Sequence, residues 1–140
     1  MGAGLPVEGE VTLPPRAGTV ARTSVPTCDL DDQIGQVRDR ADVRNDRVCI
    51  VTTEDGIVLG RLREQELEAD SAARAGDVME EGPTTVRFDD ALVDLIGRMQ
   101  KGQVESILIT SADGKLIGIT YRSDGEELLQ QLQHEHEHSH

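Results

Sequence analysis

The stretch from Glu105 to Asp124, Glu-Ser-Ile-Leu-Ile-Thr-Ser-Ala-Asp-Gly-Lys-Leu-Ile-Gly-Ile-Thr-Tyr-Arg-Ser-Asp, decides the fold of this chain. Two apolar, β-branched runs flank the pair Asp113-Gly114, and this pattern predicts a β-hairpin because glycine accepts the positive φ of a tight turn. Ser123 is followed three residues later by Glu126, which is the spacing of a capping box. The stretch therefore predicts a hairpin and then a helix that starts at Ser123 and carries Asp124 near its N-terminus.

The same pattern occurs 58 residues earlier in the chain, in register and without a gap. The pairs at this offset include Ala17 with Ala75, Gly18 with Gly76, Thr27 with Thr85, Asp55-Gly56 with Asp113-Gly114, and Gly60 with Gly118. Apolar positions such as Ile50 and Leu108 match as well. Periods of this length are typical of stacked units that cannot bury their apolar faces alone. The sequence therefore predicts an internal duplication.

Each copy predicts the same elements in the order β-α-β-β-α. The predicted extended pieces are Pro26–Cys28 and Thr84–Val86, and the predicted hairpins are Val48–Thr53 with Ile57–Leu62 and Ile107–Thr110 with Leu116–Tyr121. The predicted closing helices run from Glu64 to about Ala73 and from Ser123 to about Gln133. Acidic pairs precede the first helix of each copy (Asp31-Asp32 and Asp89-Asp90), and we interpret them as residues that favour a helix N-terminus rather than as a cation site.

Composition restricts the class of partner. The net charge is −13 and the chain has one Phe, one Tyr and no Trp, so neither nucleic acid nor an anionic membrane surface is an expected partner. The chain has no signal-peptide pattern and no apolar run of about 20 residues, which predicts a cytoplasmic protein that does not span a membrane. Cys28 and Cys49 lie in apolar runs and are interpreted as small buried residues rather than as a disulfide.

Every histidine lies in the tail formed by residues 134–140. This His-rich tail is either a weak metal chelator or a solvated segment without a specific role, and the sequence leaves both open. Because the rest of the chain has no histidine, no ordered Ser-His or Cys-His pair can be proposed, and the chain is not expected to be an enzyme. Residues 1–16 are rich in Gly and Pro and are interpreted as a flexible N-terminal arm.

The second copy resembles the CBS domain, a family whose members occur as tandem pairs called Bateman modules. Asp77-Val78-Met79 with Pro83-x-Thr85-Val86 resembles the family's opening strand, and the run from Asp113 to Thr120, followed by Asp124, resembles its closing strand and helix entry. The resemblance covers Ala17 to Leu132. It implies an α/β (α+β) fold in which repeat 1 (residues 17–74) and repeat 2 (residues 75–133) pack sheet to sheet with pseudo-two-fold symmetry.

The resemblance also implies a non-catalytic regulatory or sensor module. Such modules bind an adenosine-type ligand of the AMP, ATP or S-adenosylmethionine class in a cleft between the repeats, and no cofactor is required. Asp124 matches the acid that binds ribose, since a carboxylate accepts hydrogen bonds from both ribose hydroxyls. Arg122 is a candidate for the phosphate, and Thr84, Thr85 and Val86 match the strand that lines the cleft.

Three positions depart from the family pattern. Tyr121 stands where the family has Ser or Thr, and its ring either stacks on a base or fills the pocket. The equivalent positions of repeat 1 are Arg63 and Glu66, so only the cleft of repeat 2 is expected to bind ligand. Without a ligand, Asp124 would favour the helix dipole and Arg122 would be a solvated residue. The alternative function is a ligand-free protein-interaction or dimerisation module with degenerate clefts, and a homodimer is expected in either case.

Overall fold

Two β-sheets and their flanking helices confirm the predicted α/β fold with two repeats. The computed structural model describes residues 14–138, with side chains described for residues 14–133. The helices are α1 (Ile34–Arg38), α2 (Ala41–Asp46), α3 (Glu64–Leu67), α4 (Ala75–Val78), α5 (Leu92–Gly102) and α6 (Arg122–His138), and a 3-10 turn spans Ala17–Val20. The strands are β1 (Thr27–Cys28), β2 (Cys49–Thr52), β3 (Val58–Leu62), β4 (Glu80–Glu81), β5 (Thr85–Arg87), β6 (Ser106–Thr110) and β7 (Leu116–Tyr121).

Both predicted hairpins are confirmed. The first sheet has the order β1-β2-β3-β4 and the second has the order β5-β6-β7, with a parallel first pair and an antiparallel hairpin in each. Gly56 and Gly114 occupy the hairpin turns with φ values of 89° and 86°. These values lie in the region that glycine adopts without steric cost, so the two Asp-Gly pairs determine where each hairpin turns.

The segments that lead into the repeats are exchanged between them. Strand β4 lies near the start of repeat 2, yet it pairs with β3 of repeat 1. At the equivalent place near the start of repeat 1, Arg22 pairs with Ile119 in β7 of repeat 2, through backbone N–H···O bonds of 2.8 and 3.0 Å. A Cβ at Gly118 would overlap the carbonyl oxygen of Arg22, so a glycine is needed where this lead-in segment crosses β7.

The core has three parts. One apolar cluster lies within each repeat, between its sheet and its helices. A third cluster, which contains Val48, Ile50, Leu108 and Ile119, lies between the two sheets. The two hairpin turns also bond to each other, since the N–H groups of residues 58 and 116 donate to the carbonyls of residues 114 and 56 at 3.1 and 2.9 Å. The sheets therefore pack face to face about a pseudo-two-fold axis.

The closing helix of repeat 1 is shorter than predicted, because α3 ends at Leu67 and not near Ala73. The carbonyls of Ser71 and Ala73 instead accept hydrogen bonds from the N–H groups of Gly35 and Ile34 at the start of α1. The chain must leave the helix to supply these acceptors, and the orphan donors at the N-terminus of α1 are thereby satisfied.

The predicted capping box of repeat 2 is wrong, because α6 begins at Arg122 and places Ser123 inside the helix. The Glu126 carboxylate accepts a hydrogen bond from Gln100 at 2.8 Å and lies 3.6 Å from Arg122 instead. In repeat 1 the predicted single helix is split into α1 and α2.

Cys28 and Cys49 are buried and free, which confirms their interpretation as small core residues. None of the described helices combines the length and apolar character that crossing a bilayer requires. The side chains of the predicted His-rich tail and residues 1–13 of the predicted arm lie outside the described residues. The boundaries predicted for the repeats stay predictions.

Candidate functional site

Asp124 and Tyr121 lie together at the point where β7 passes into α6, and Arg22 joins them. The Asp124 carboxylate accepts hydrogen bonds from Nε and Nη2 of Arg22, at 2.8 and 3.0 Å. The guanidinium carbon of Arg22 lies 4.5 Å from the centroid of the Tyr121 ring. A two-pronged carboxylate pair and a cation over an aromatic face are both favourable contacts for an arginine. We call these three residues the repeat 2 cluster.

The exchanged lead-in segment positions Arg22. Its backbone is paired with Ile119, so its side chain extends along the sheet edge toward the helix entry. Hydrogen bonding to Asp124 raises the pKa of the Arg22 guanidinium above its usual value. The side chains of Arg22 and Asp124 are 62% and 29% exposed, so the pair contributes at most about 1 kcal/mol to folding. A bound group could therefore displace Arg22 from Asp124 at small cost.

The equivalent cluster of repeat 1 keeps an acid on the helix but has its arginine at the end of the strand and a second acid on the lead-in segment. Arg63 stands at the position of Tyr121, Glu66 at that of Asp124, and Glu80 at that of Arg22. The Nε of Arg63 lies 3.7 Å from the Glu80 carboxylate. The Glu66 carboxylate accepts a hydrogen bond from the Arg63 backbone N–H at 2.7 Å and another from Gln65 at 2.9 Å. Glu66 is thus turned back onto its own helix, and its oxygens are already engaged.

A central cleft of about 730 Å³ lies between the repeats, with walls from both of them. The residues that concern its chemistry are Arg47, Arg61, Arg63, Glu64, Ser106 and Tyr121. Arg61 is 7% exposed, and its Nη2 donates a hydrogen bond to the Ser106 hydroxyl at 2.7 Å. Burial lowers the pKa of Arg61, and the nearby positive charge of Arg63 lowers it further. The cleft therefore has a buried cation on one wall and an aromatic ring on another.

The other predicted site residues lie apart from this cleft. Arg122 lies 3.6 Å from Glu126, and its backbone N–H donates to the carbonyl of Glu105 at 2.8 Å. Thr84 and Thr85 are exposed, and Val86 is buried in the core of repeat 2. None of these four lines the central cleft. The structure thus brings Asp124 to Tyr121, and Tyr121 to Arg63, but it does not bring the β5 residues to either cluster.

Sequence reasoning missed Arg22 and Arg61. Arg22 could not be found, because its role depends on the exchange of lead-in segments between the repeats. Arg61 could have been found from the sequence. Its copy at the 58-residue offset is Ile119, so a charged residue lies in a predicted strand where the copy is apolar. Among the described residues, no group of three or more His, Cys, Asp or Glu side chains is placed to hold a metal ion.

Comparison with known proteins identifies the fold. Residues 75–124 match the CBS domain family. Solved structures with a similar fold include the cytosolic domain of the Mg²⁺ channel MgtE in complex with ATP (19% identity, TM-score 0.72, 81% of this chain and 48% of that chain). The CBS domains of a transcriptional regulator from Streptococcus pneumoniae are also similar (18% identity, TM-score 0.69, 80% of this chain and 97% of that chain). A third similar structure is CBSX2 in complex with AMP (18% identity, TM-score 0.73, 85% of this chain and 98% of that chain).

The extent of these matches differs. The chain spans about half of the MgtE chain but nearly all of the other two. At identities below one fifth, the likeness is a likeness of fold. No curated protein matches the chain in sequence.

Proposed function

We propose that this chain, whose second repeat is a CBS domain and whose fold is that of a CBS domain pair, is a non-catalytic regulatory module that binds an adenosine-type ligand beside repeat 2. The observation that carries the proposal is the repeat 2 cluster, in which a carboxylate and an aromatic ring both contact the Arg22 guanidinium. The similar structures of CBSX2 with AMP and of MgtE with ATP support this class of ligand.

The chemistry of the cluster suits a nucleoside. The Asp124 carboxylate can accept hydrogen bonds from both ribose hydroxyls, and the Tyr121 ring offers a face on which a base stacks. The ligand must first displace Arg22 from Asp124, which costs at most about 1 kcal/mol for an exposed pair.

Repeat 1 is not expected to bind the same ligand. The Glu66 carboxylate is occupied by the Arg63 backbone N–H and by Gln65, and no aromatic ring stands at position 63. A single occupied cleft suits a regulatory role, because a ligand that binds one packing of the repeats better than another shifts the population toward it. The ligand would contact repeat 2 and the lead-in segment of repeat 1 at the same time, and so couple the two.

Calorimetric titration with AMP, ATP and S-adenosylmethionine tests the proposal, with Asp124→Asn as the site variant and Glu66→Gln as its matched control. We expect one of the three to bind the wild type, and Asp124→Asn to lose at least about tenfold in affinity, or about 1.4 kcal/mol. Glu66→Gln should bind as the wild type does. If none of the three binds below about 1 mM, which is about −4 kcal/mol, or if Asp124→Asn binds normally, the proposal is wrong.

A second candidate function is a ligand-free interaction module, and the two-pronged Arg22–Asp124 pair favours it because Arg22 already occupies the Asp124 carboxylate. This candidate predicts that the melting temperature does not respond to nucleotides, whereas a ligand that binds only the folded state must raise it. The predicted homodimer and the predicted cytoplasmic location belong to both candidates. Sedimentation analysis of the full chain tests the dimer.

A further inference from the structure

The lead-in segment that carries Arg22, residues 15–25, is anchored on repeat 2 at its start. Ala17 is fully buried, and its N–H donates to the carbonyl of Asp90 at 2.6 Å. Its carbonyl accepts a hydrogen bond from the hydroxyl of Thr120 at 2.8 Å. These bonds are costly to break, because a buried donor or acceptor would be left without a partner. The start of the segment is therefore fixed on repeat 2.

Arg22 is the last hydrogen-bonded residue before the chain crosses to repeat 1. Its N–H and its carbonyl pair with Ile119 at 2.8 and 3.0 Å. No hydrogen bond between described residues involves residues 23–25, and Thr23 and Ser24 are exposed. A segment with few backbone hydrogen bonds and exposed side chains opens locally at low cost. The pairing of Arg22 therefore decides where the fixed part of the lead-in segment ends.

The side chain of Arg22 connects this end of the fixed part to the candidate ligand site. It donates two hydrogen bonds to Asp124, at 2.8 and 3.0 Å, and its guanidinium lies 4.5 Å from the centroid of the Tyr121 ring. We call these interactions the Arg22 contact. The guanidinium occupies the carboxylate and the ring face that a nucleoside would use. A ligand and the Arg22 side chain therefore compete for the same place.

Repeat 1 has no equivalent of the Arg22 contact. Glu80, at the place of Arg22, approaches Arg63, which lies at the end of the strand and not on the helix. Glu66, at the place of Asp124, accepts a hydrogen bond from the Arg63 backbone instead. A ligand on Glu66 would leave the ion pair of Glu80 in place. Within the described chain, the coupling of a lead-in segment to an acid at a helix entry is thus confined to Arg22.

We propose that the Arg22 contact is autoinhibitory: it closes the empty site of repeat 2, and it releases the end of the lead-in segment when a ligand takes Asp124. The identity of the ligand rests on the proposed function, whereas the closed contact rests on the geometry of Arg22 alone. Val25, three residues further on, packs against the cluster between the two sheets. A ligand that displaces Arg22 shifts the population toward a released segment. The released segment joins the site to the sheet interface and so carries the regulatory signal.

Hydrogen exchange of single backbone amides, followed by NMR on the full chain, tests the proposal. The amides of Arg22 and Ile119 bond to each other's carbonyls and report the docked end, whereas the amide of Ala17 reports the anchor. Arg22→Gln and Asp124→Asn break the contact from either side, and Glu80→Gln is the matched control. Without ligand, we expect the protection factors of residues 22 and 119 to fall about threefold to fivefold in the first two variants, which is the most that an exposed pair contributes. Protection of Ala17, and all protection in the control, should stay unchanged.

A second measurement adds AMP, ATP or S-adenosylmethionine to the wild type. We expect the ligand that binds to lower the protection of residues 22 and 119 to the level of the ligand-free Arg22→Gln variant. The fluorescence of Tyr121 should change at the same time as Arg22 leaves its ring. This signal is specific, because Tyr121 is the only tyrosine in a chain without tryptophan.

The outcomes separate the Arg22 contact from the adenosine function. Unchanged protection in both Arg22→Gln and Asp124→Asn overturns the autoinhibitory contact. A ligand that binds the wild type without lowering the protection of residues 22 and 119 also overturns it, and leaves the adenosine function standing. If the two variants lose protection but none of the three ligands binds the wild type or Arg22→Gln, the adenosine function is overturned and the closed contact is supported.

Discussion

The two repeats share their hairpins and strand pairing and differ in the charges at the entries to their closing helices. In repeat 2 the acid lies on the helix and the arginine lies on the exchanged lead-in segment, as Asp124 and Arg22. In repeat 1 the lead-in segment carries the acid Glu80, and Arg63 at the end of the strand faces it. The short Asp124 side chain reaches outward, whereas the longer Glu66 bends back to the Arg63 backbone. Duplication preserved the turns and the apolar positions, and the sites diverged at three side chains.

The same contrast occurs at the interface between the sheets. Val48 and Ile119 are apolar on one side of the pseudo-two-fold axis, and their copies Ser106 and Arg61 are polar on the other. Both halves are well packed, but only one of them leaves a donor without an acceptor. The difference teaches that a symmetric scaffold can carry one asymmetric polar site without any change in its strand order.

Substitution of Gly118 and of its copy Gly60 should give the largest effect on the free energy of unfolding. At Gly118 a Cβ would overlap the backbone carbonyl of Arg22, whereas at Gly60 the nearest atoms belong to the flexible side chain of Met79. We expect Gly118→Ala to lower the free energy of unfolding by about 3 kcal/mol and Gly60→Ala by about 1 kcal/mol, the two ends of the usual range for overpacking. Urea unfolding followed by circular dichroism measures both, and equal losses would contradict the tight crossing at Arg22.

Making the interface between the two sheets symmetric should raise the free energy of unfolding by a moderate amount. The double substitution Arg61→Ile with Ser106→Val removes a buried charge and replaces it with an apolar pair of the kind already present. We expect the free energy of unfolding to rise by about 1 to 2 kcal/mol, since apolar replacement of buried ionic groups is commonly neutral or stabilising. Thermal unfolding in phosphate-free buffer measures it. A clear loss of stability would mean that Arg61 already has a partner in the folded chain.

Removal of Arg22 should alter ligand affinity more than stability. Arg22→Gln frees the Asp124 carboxylate, and because the pair is exposed we expect a loss of less than about 1 kcal/mol in folding. The affinity for AMP should rise about threefold to fivefold, because the ligand no longer has to break the Arg22–Asp124 pair. Glu80→Gln, which changes the residue equivalent to Arg22 in the repeat 1 cluster, should leave the affinity for AMP unchanged. A weaker affinity in Arg22→Gln would instead make Arg22 a ligand contact.

The smallest effect on the free energy of unfolding should come from removal of the ion pair between Arg40 and Asp42, which has no copy in repeat 2. Arg40 lies 2.8 Å from Asp42 and lowers the pKa of Asp42, whereas the copy of Asp42 in repeat 2 is Gln100. Because the folded pKa lies below the unfolded value of 3.8, the pair stabilises the fold above that pH and the effect is lost as the pH falls through the folded pKa.

We therefore expect Asp42→Asn to be less stable than the wild type by about 0.5 kcal/mol at pH 7, and the gap to close below pH 3.8. Unfolding curves at a series of pH values measure the gap. Asn45→Ala, a change on the exposed surface of the same helix, is the control. A gap that persists at low pH would show that Asp42 acts by something other than its charge.

Local features of the sequence predicted most of the fold, and long-range pairing accounts for the rest. The hairpins and the duplication follow from the Asp-Gly turns and from apolar positions that recur at one offset. The contact between Arg22 and Asp124 joins residues 102 positions apart, and no local sequence pattern predicts it. The early end of α3 has a similar cause, since Ser71 and Ala73 supply acceptors to a distant helix start. Asp124 and Tyr121 were predicted from a resemblance, and their function stays a prediction.

The exchanged lead-in segments have a consequence for the order in which the chain folds. The sheet of repeat 1 can be completed as soon as β4 has been synthesised, because β4 is the last of its strands along the chain. The segment that carries Arg22 is synthesised before the strands of either sheet, yet its partner Ile119 is nearly the last part of the second sheet to appear. Its pairing closes a loop that spans most of the chain, and such non-local steps are slow. The segment at Arg22 should therefore dock late, and the second sheet should acquire its final edge only when nearly the whole chain is available.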